Sequence, residues 1–121
     1  MELRSYVGDE ELAALYAQAS VFAFLSEYEG FGLTPLEALA AGVPVVVLDT
    51  PVAREVYGPA AVYVGKGDVE GAAAALRERL VNPGRQTPEL AAAPAVLGRY
   101  SWDVAADRTL AGIEALARGR R

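Results

Sequence analysis

Hydrophobic residues fall in short unbroken runs along this chain, with glycines and polar residues between them. Val21-Phe22-Ala23-Phe24-Leu25 and Pro44-Val45-Val46-Val47-Leu48 are two such runs. Continuous apolarity over so short a span predicts parallel strands covered on both faces. Ala61-Val62-Tyr63-Val64 predicts another strand, and Leu3 to Val7 a further short one ending at Gly8. The intervening segments follow a helical period. Leu12, Leu15, Tyr16 and Ala19 recur at helical spacing behind Asp9, an N-cap, with Glu10 and Glu11 in a first turn where the helix dipole favours acid. Thr50 caps, Pro51 starts and Gly58 stops a short helix whose ordinary role, Arg54 included, is to cross over between parallel strands. Gly65-Lys66-Gly67-Asp68 lacks the spacing of a phosphate loop, and Asp68 reads as the cap of an alanine- and leucine-rich helix from Val69 to Asn82, stopped by Asn82-Pro83-Gly84. Lys66 is left a place at a cleft rim. A further helical segment follows Pro88, interrupted by Pro94, and Ser101 caps a last helix from Trp102 to about Arg118, with Arg118, Arg120 and Arg121 as a frayed, solvated end. Four strands alternating with helices predict an α/β fold built on a parallel sheet.

The stretch from Val21 to Asp49 organises the rest. Between its two strands lies Ser26-Glu27-Tyr28-Glu29-Gly30-Phe31-Gly32-Leu33, then a short helix with Thr34 as N-cap, Pro35 at the first helical position, Glu37 two residues on, and Gly42 past its end. A glycine-containing loop leaving a buried strand brings backbone N–H groups to a helix N-terminus, where phosphate or sugar oxygens are well received. Bland readings exist beside this one. Thr34-Pro35-Leu36-Glu37 is also a capping box, Glu29 reads equally as a solvated loop carboxylate, and Gly30 and Gly32 as turn residues. The two roles of Glu37 are compatible in different ligand states. A nicotinamide dinucleotide fingerprint is poorly supported, because Pro35 stands where G-x-G-x-x-G needs its third glycine.

The whole string SEYEGFGLTPLEALAAGVPVV, in which Glu29 and Glu37 enclose seven residues, resembles the signature of retaining, nucleotide-sugar-dependent glycosyltransferases with two Rossmann-like domains (GT-B type), and more narrowly family 4, also called group 1. Tyr6-Val7-Gly8-Asp9-Glu10-Glu11-Leu12 and Arg99-Tyr100-Ser101-Trp102 look similar to segments that flank this signature in the family. The resemblance implies a Rossmann-like three-layer sandwich, here its C-terminal part with about four strands. It implies that Glu29 contacts the donor sugar as the catalytic carboxylate and that Glu37 bonds the ribose. It further implies that the backbone of Gly30, Phe31, Gly32, Leu33 and Thr34 meets the sugar and pyrophosphate. It calls for no cofactor and no metal. Glu55 matches a glutamate common in the family and is given no ligand.

The same resemblance covers only part of such an enzyme. It reads residues 1–121 as an incomplete nucleotide-sugar-binding domain and residues 101–118 as a helix that returns to an N-terminal acceptor domain not present here. Any contact with a membrane surface is expected only through that other domain. The arginine–lysine pair that neutralises the pyrophosphate in the family has no counterpart in this sequence. The isolated chain is therefore expected to turn over little or no substrate. In the common doubly wound order the Val21 strand pairs with an earlier strand that this chain lacks. Val21 to Leu25 is then an unpaired apolar edge, filled by Leu3–Val7 or by a second chain, and self-association through it is expected. Two further function classes stand beside transfer. One is a non-catalytic interaction module derived from such a domain. The other is a sugar-nucleotide epimerase, whose usual donor-domain histidine is missing. Nucleotide base, sugar and acceptor are not readable.

Composition narrows the field. Hydrophobic residues make up 53% of the 121, enough for one domain with a core. Eleven basic against sixteen acidic residues give a net charge of -5, which offers nucleic acid no electrostatic footprint. With no cysteine and no histidine, disulfides, Cys/His metal sites and histidine-based nucleophilic triads are excluded. No apolar run approaches a membrane span and the first residues lack a signal-peptide pattern, so a cytoplasmic protein is expected.

Overall fold

Val45–Leu48 (β2) is, among the described residues, the strand whose positions are all buried, and the fold is laid out around it. The computed structural model describes residues 3–81 and 87–119. Phe22–Phe24 (β1) and Ala61–Val64 (β3) pair with β2 on either side, both parallel, in the order β1-β2-β3. The register sets Phe22 against Val45, and Val45 against Ala61. Side chains alternate along a strand. Val45 and Val47 therefore enter a core shared with Leu33–Ala40 (α2), Pro51–Tyr57 (α3) and Pro88–Leu97 (α5). Val46 and Leu48 face the other way, where Val69–Val81 (α4) packs on β2 and β3. Asp9–Gln18 (α1) lays Tyr16, and the Ala19 that follows it, on the first core beside Phe22, while Trp102–Gly119 (α6) buries no residue. Helices on both faces of a parallel sheet make this the expected α/β Rossmann-like architecture.

Caps that depend on nearby residues form as read. The Thr50 hydroxyl accepts from the Ala53 N–H at 3.1 Å, and the Asp68 carboxylate from the Gly71 N–H at 2.8 Å. Ser101 accepts from Val104 N–H at a long 3.4 Å. The stop at Asn82-Pro83-Gly84 and the two last arginines lie outside the described residues.

Several expectations need correction. Leu3–Val7 is not a strand, so the described residues hold three strands rather than four. A strand requires a neighbour to take its backbone bonds, and here Leu3 and Tyr6 stand 84% and 86% exposed with nothing to pack on. β1 is consequently an edge. It is also covered on one side only: Phe22 and Phe24 are half-buried, whereas Ala23 and Leu25 are exposed. Gly8, not Asp9, is the N-cap of α1, and it caps with no side chain. Pro94 does not interrupt α5, which runs through it. Pro94 is solvent-exposed, where water can take the carbonyl that its missing N–H leaves free.

Candidate functional site

The loops that follow the three strands lie together at the carboxyl ends of the sheet. Lys66 Nζ, after β3, pairs with Glu27 Oε2, after β1, at 2.6 Å. Asp49, after β2, accepts from Arg54 Nε and Nη2 at 2.7 and 2.8 Å, and that guanidinium lies 3.8 Å over the Tyr63 ring. The bond to Arg54 holds the Asp49 carboxyl below the usual carboxylate range. Both cations beside these loops, Lys66 and Arg54, are thus occupied by carboxylates.

The loop after β1 differs from the sequence reading in one informative way. The helix starts at Leu33, not after Thr34, and its N-cap is Gly32 in the left-handed region at φ 84°. Thr34 is therefore the second helical residue and Pro35 the third, still inside the first turn where a missing N–H costs nothing. Glu37 sits in the second turn, out of reach of a capping box. Its Oε2 instead accepts from the Tyr16 hydroxyl at 3.3 Å. No side chain caps α2. The amides of Gly32, Leu33 and Thr34 lead the helix with its partial positive charge behind them.

What sets this start is Tyr57. Its hydroxyl, 25 residues further on, donates to the Gly32 carbonyl at 2.8 Å in a buried hydrogen bond. A Cβ at residue 32 would overlap that hydroxyl oxygen, with the ring carbon behind it at 3.4 Å. Gly32 is thus required twice, by backbone angle and by space. Gly30 is exposed and would meet nothing within 4 Å, so the glycine there answers no steric demand of this fold. Phe31, half out of the surface, meets the Tyr100 ring edge-on at 5.1 Å. Tyr100 in turn donates to the Val56 carbonyl at 3.0 Å.

Glu29 lines a small open recess with Ser26, Phe31, Thr50 and Tyr57, floored by Phe24 and Val47. Of the site residues named from sequence, this recess joins Glu29 and Phe31. Glu37 is not in its wall; it lies on the exposed face of α2 toward Tyr16, and Leu33 and Thr34 are exposed at the head of that helix. Tyr57 was missed, because a tyrosine on the apolar side of a short helix looks like ordinary core. No local signal would have revealed a bond to a residue so distant in sequence.

Burial, then the charge of Glu29 and the neighbouring Tyr63 and Tyr100, push the Tyr57 phenol up to about 12. The hydroxyl remains a donor at any ordinary pH. Because the folded value is raised, the stability it contributes is whole below the unfolded value of about 10 and is lost as pH rises through about 12. Alkaline titration followed by phenolate absorbance should show one tyrosine ionising last, near 12, and missing that step in Tyr57→Phe. A wild-type chain whose six tyrosines all ionise around 10 would contradict the burial argument.

Comparison with known proteins places these features in a family. The family described as "Glycosyl transferases group 1" matches residues 2–93. The O-antigen chain mannosyltransferase B of Escherichia coli is 36% identical over 105 residues, covering 87% of this chain and 28% of the relative. The GDP-mannose-dependent alpha-mannosyltransferase of Mycobacterium tuberculosis is 39% identical over 114 residues, covering 93% and 29%. The chain thus spans under a third of the length of these relatives. Among solved structures, the crystal structure of a GtfA/B complex superposes with a TM-score of 0.62 at 21% identity, over 83% of this chain and 21% of that one, a likeness of fold. Among the described residues no helix is long and apolar enough to cross a membrane.

Proposed function

The chain belongs to the glycosyl transferases of group 1, and on that premise we propose that it forms the donor-binding part of an enzyme that moves a sugar from a nucleotide-diphosphate sugar to an acceptor hydroxyl with retention. The observation that carries this reading is the uncapped head of α2. It follows a left-handed glycine that closes the loop after β1, with Glu29 earlier in that loop and Glu37 one turn into the helix.

Departure of the nucleotide diphosphate places negative charge on phosphate oxygens. The Gly32, Leu33 and Thr34 amides, fixed in advance, stabilise that charge without reorganising. Gly30 and Phe31 bring the backbone close to the sugar. Glu37 holds the ribose hydroxyls, and Glu29 orients the sugar and offsets charge on its cationic ring. The two glutamates do not act as a glycosidase pair, since one serves the sugar and the other the nucleoside. Lys66 and Arg54 are ion-paired with Glu27 and Asp49, and no residue of this sequence matches the arginine–lysine pair that neutralises the pyrophosphate in the family. That supports weak donor binding and little turnover by this chain alone.

Both relatives described above are named as mannosyltransferases and one of them for GDP-mannose, which makes GDP-mannose the first donor to try. Calorimetric titration with GDP-mannose and UDP-glucose should give saturable binding of at least one. A chain that binds neither, nor any other nucleotide sugar, would refute the donor reading.

A further inference from the structure

Two tyrosines hold the loop between β1 and α2 from beneath. Tyr57 is 2% exposed and donates to Gly32, the left-handed residue from which the helix departs. Tyr100 packs its ring against Phe31 one residue earlier, and its hydroxyl, with the Arg99 guanidinium, grips the Val56 carbonyl next door to Tyr57. The end of α3 is thereby bolted to the loop at two successive positions. Of the two contacts, the Tyr57 bond is the buried one, so losing it strands a carbonyl away from water.

We propose that Tyr57 is a positioning residue for the donor site: its hydroxyl fixes the left-handed turn at Gly32 and so aims the amides of residues 32–34 at the donor's pyrophosphate. This rests on the donor-binding reading above. The contact is reciprocal. The hydroxyl needs the Gly32 carbonyl, and the same hydroxyl forbids a side chain at residue 32. The high alkaline limit of this phenol keeps the bond intact wherever the protein is folded and in use.

The test uses the 121-residue chain as wild type, Tyr57→Phe, Gly32→Ala and the double variant. Backbone amide relaxation without ligand is measured first. Tyr57→Phe should loosen the amides of residues 30–34 while those of β2 and α5 keep their wild-type values. Titration with GDP-mannose comes second, and Tyr57→Phe should bind about tenfold more weakly, the reduction expected when only about a tenth of the free chains hold the loop in the binding geometry. Gly32→Ala should bind more weakly still. The double variant should recover part of that loss, because the overlapping oxygen is gone and what remains is the strained φ together with the missing hydroxyl bond. Loop amides unchanged in Tyr57→Phe, or changes spread evenly through the core, would overturn the proposal. A double variant no better than Gly32→Ala would do the same. Failure of the wild type to bind GDP-mannose or any other nucleotide sugar would instead count against the donor reading, leaving the relaxation arm to decide the role of Tyr57.

Discussion

Replacing Arg79 by alanine should destabilise the domain by about 3–5 kcal/mol, the range for removing one partner of a buried ion pair. Arg79 is the buried charged side chain among the described residues, at 8% exposure on an α4 whose other residues are half-buried or exposed. Its two terminal nitrogens reach Glu78 and Glu89, each at 3.1 Å, and Glu89 opens α5. The pair is already imperfect, since Arg79 Nε and Glu89 Oε2 find no partner among the described residues. Truncating Arg79 leaves Glu89, at 20% exposure, with neither partner nor free access to water. Because α5 packs its Ala93 and Val96 into the same core as α2 and α3, the damage reaches the elements that carry the site. Urea denaturation measures the loss. The companion experiment is Arg79→Met with Glu89→Leu, which removes both charges and keeps the volume. It should fall within about 1 kcal/mol of wild type or above it, as such exchanges commonly do. A single variant as stable as wild type would mean that the pair is solvated in solution.

Glu37→Ala should lower GDP-mannose affinity about thirtyfold, the worth of hydrogen bonds to a charged group at about 2 kcal/mol. The same change should leave the denaturation midpoint almost unmoved. Glu37 is exposed, and its one side-chain partner is the Tyr16 hydroxyl at a long 3.3 Å. Burial and the Glu37 carboxylate both raise the Tyr16 phenol, so that hydroxyl stays protonated and its bond is a weak tether between α1 and α2. Tyr16→Phe is the control. It removes the tether and keeps the carboxylate, and donor affinity should survive. Unchanged affinity in Glu37→Ala would dispose of the ribose assignment. A large fall in stability would show that the tether is what Glu37 is for.

These outcomes bear on what the sequence could and could not disclose. Features decided by neighbours within a few residues were legible: Thr50 over α3, Asp68 over α4, the apolar runs of β2 and β3. Features decided across the fold were not. Thr34 carries every mark of a cap, yet Gly32 takes the position because Tyr57 reaches over from the far end of α3. Glu37 has the spacing of a capping box, and the earlier helix start moves it out of range. Leu3–Val7 has the composition of a strand and lacks a companion. The glycine–glutamate string, by contrast, was legible as a family signature without any geometry. What remains for experiment is the chemistry at Glu29 and Glu37, which the recess and the exposed face of α2 present to different neighbours.

The last helix has a thermodynamic consequence of its own. Every described side chain of α6 stands in water, including Trp102 at 85% and Leu116 at 73%. Eighteen residues without tertiary support form a marginal helix. Its amides should therefore exchange with solvent as a separate low-protection foldon while the sheet and α5 open as one cooperative unit. A calorimeter would register the second and scarcely notice the first. Far-ultraviolet ellipticity, which counts every helical peptide alike, would begin to fall well before the main transition.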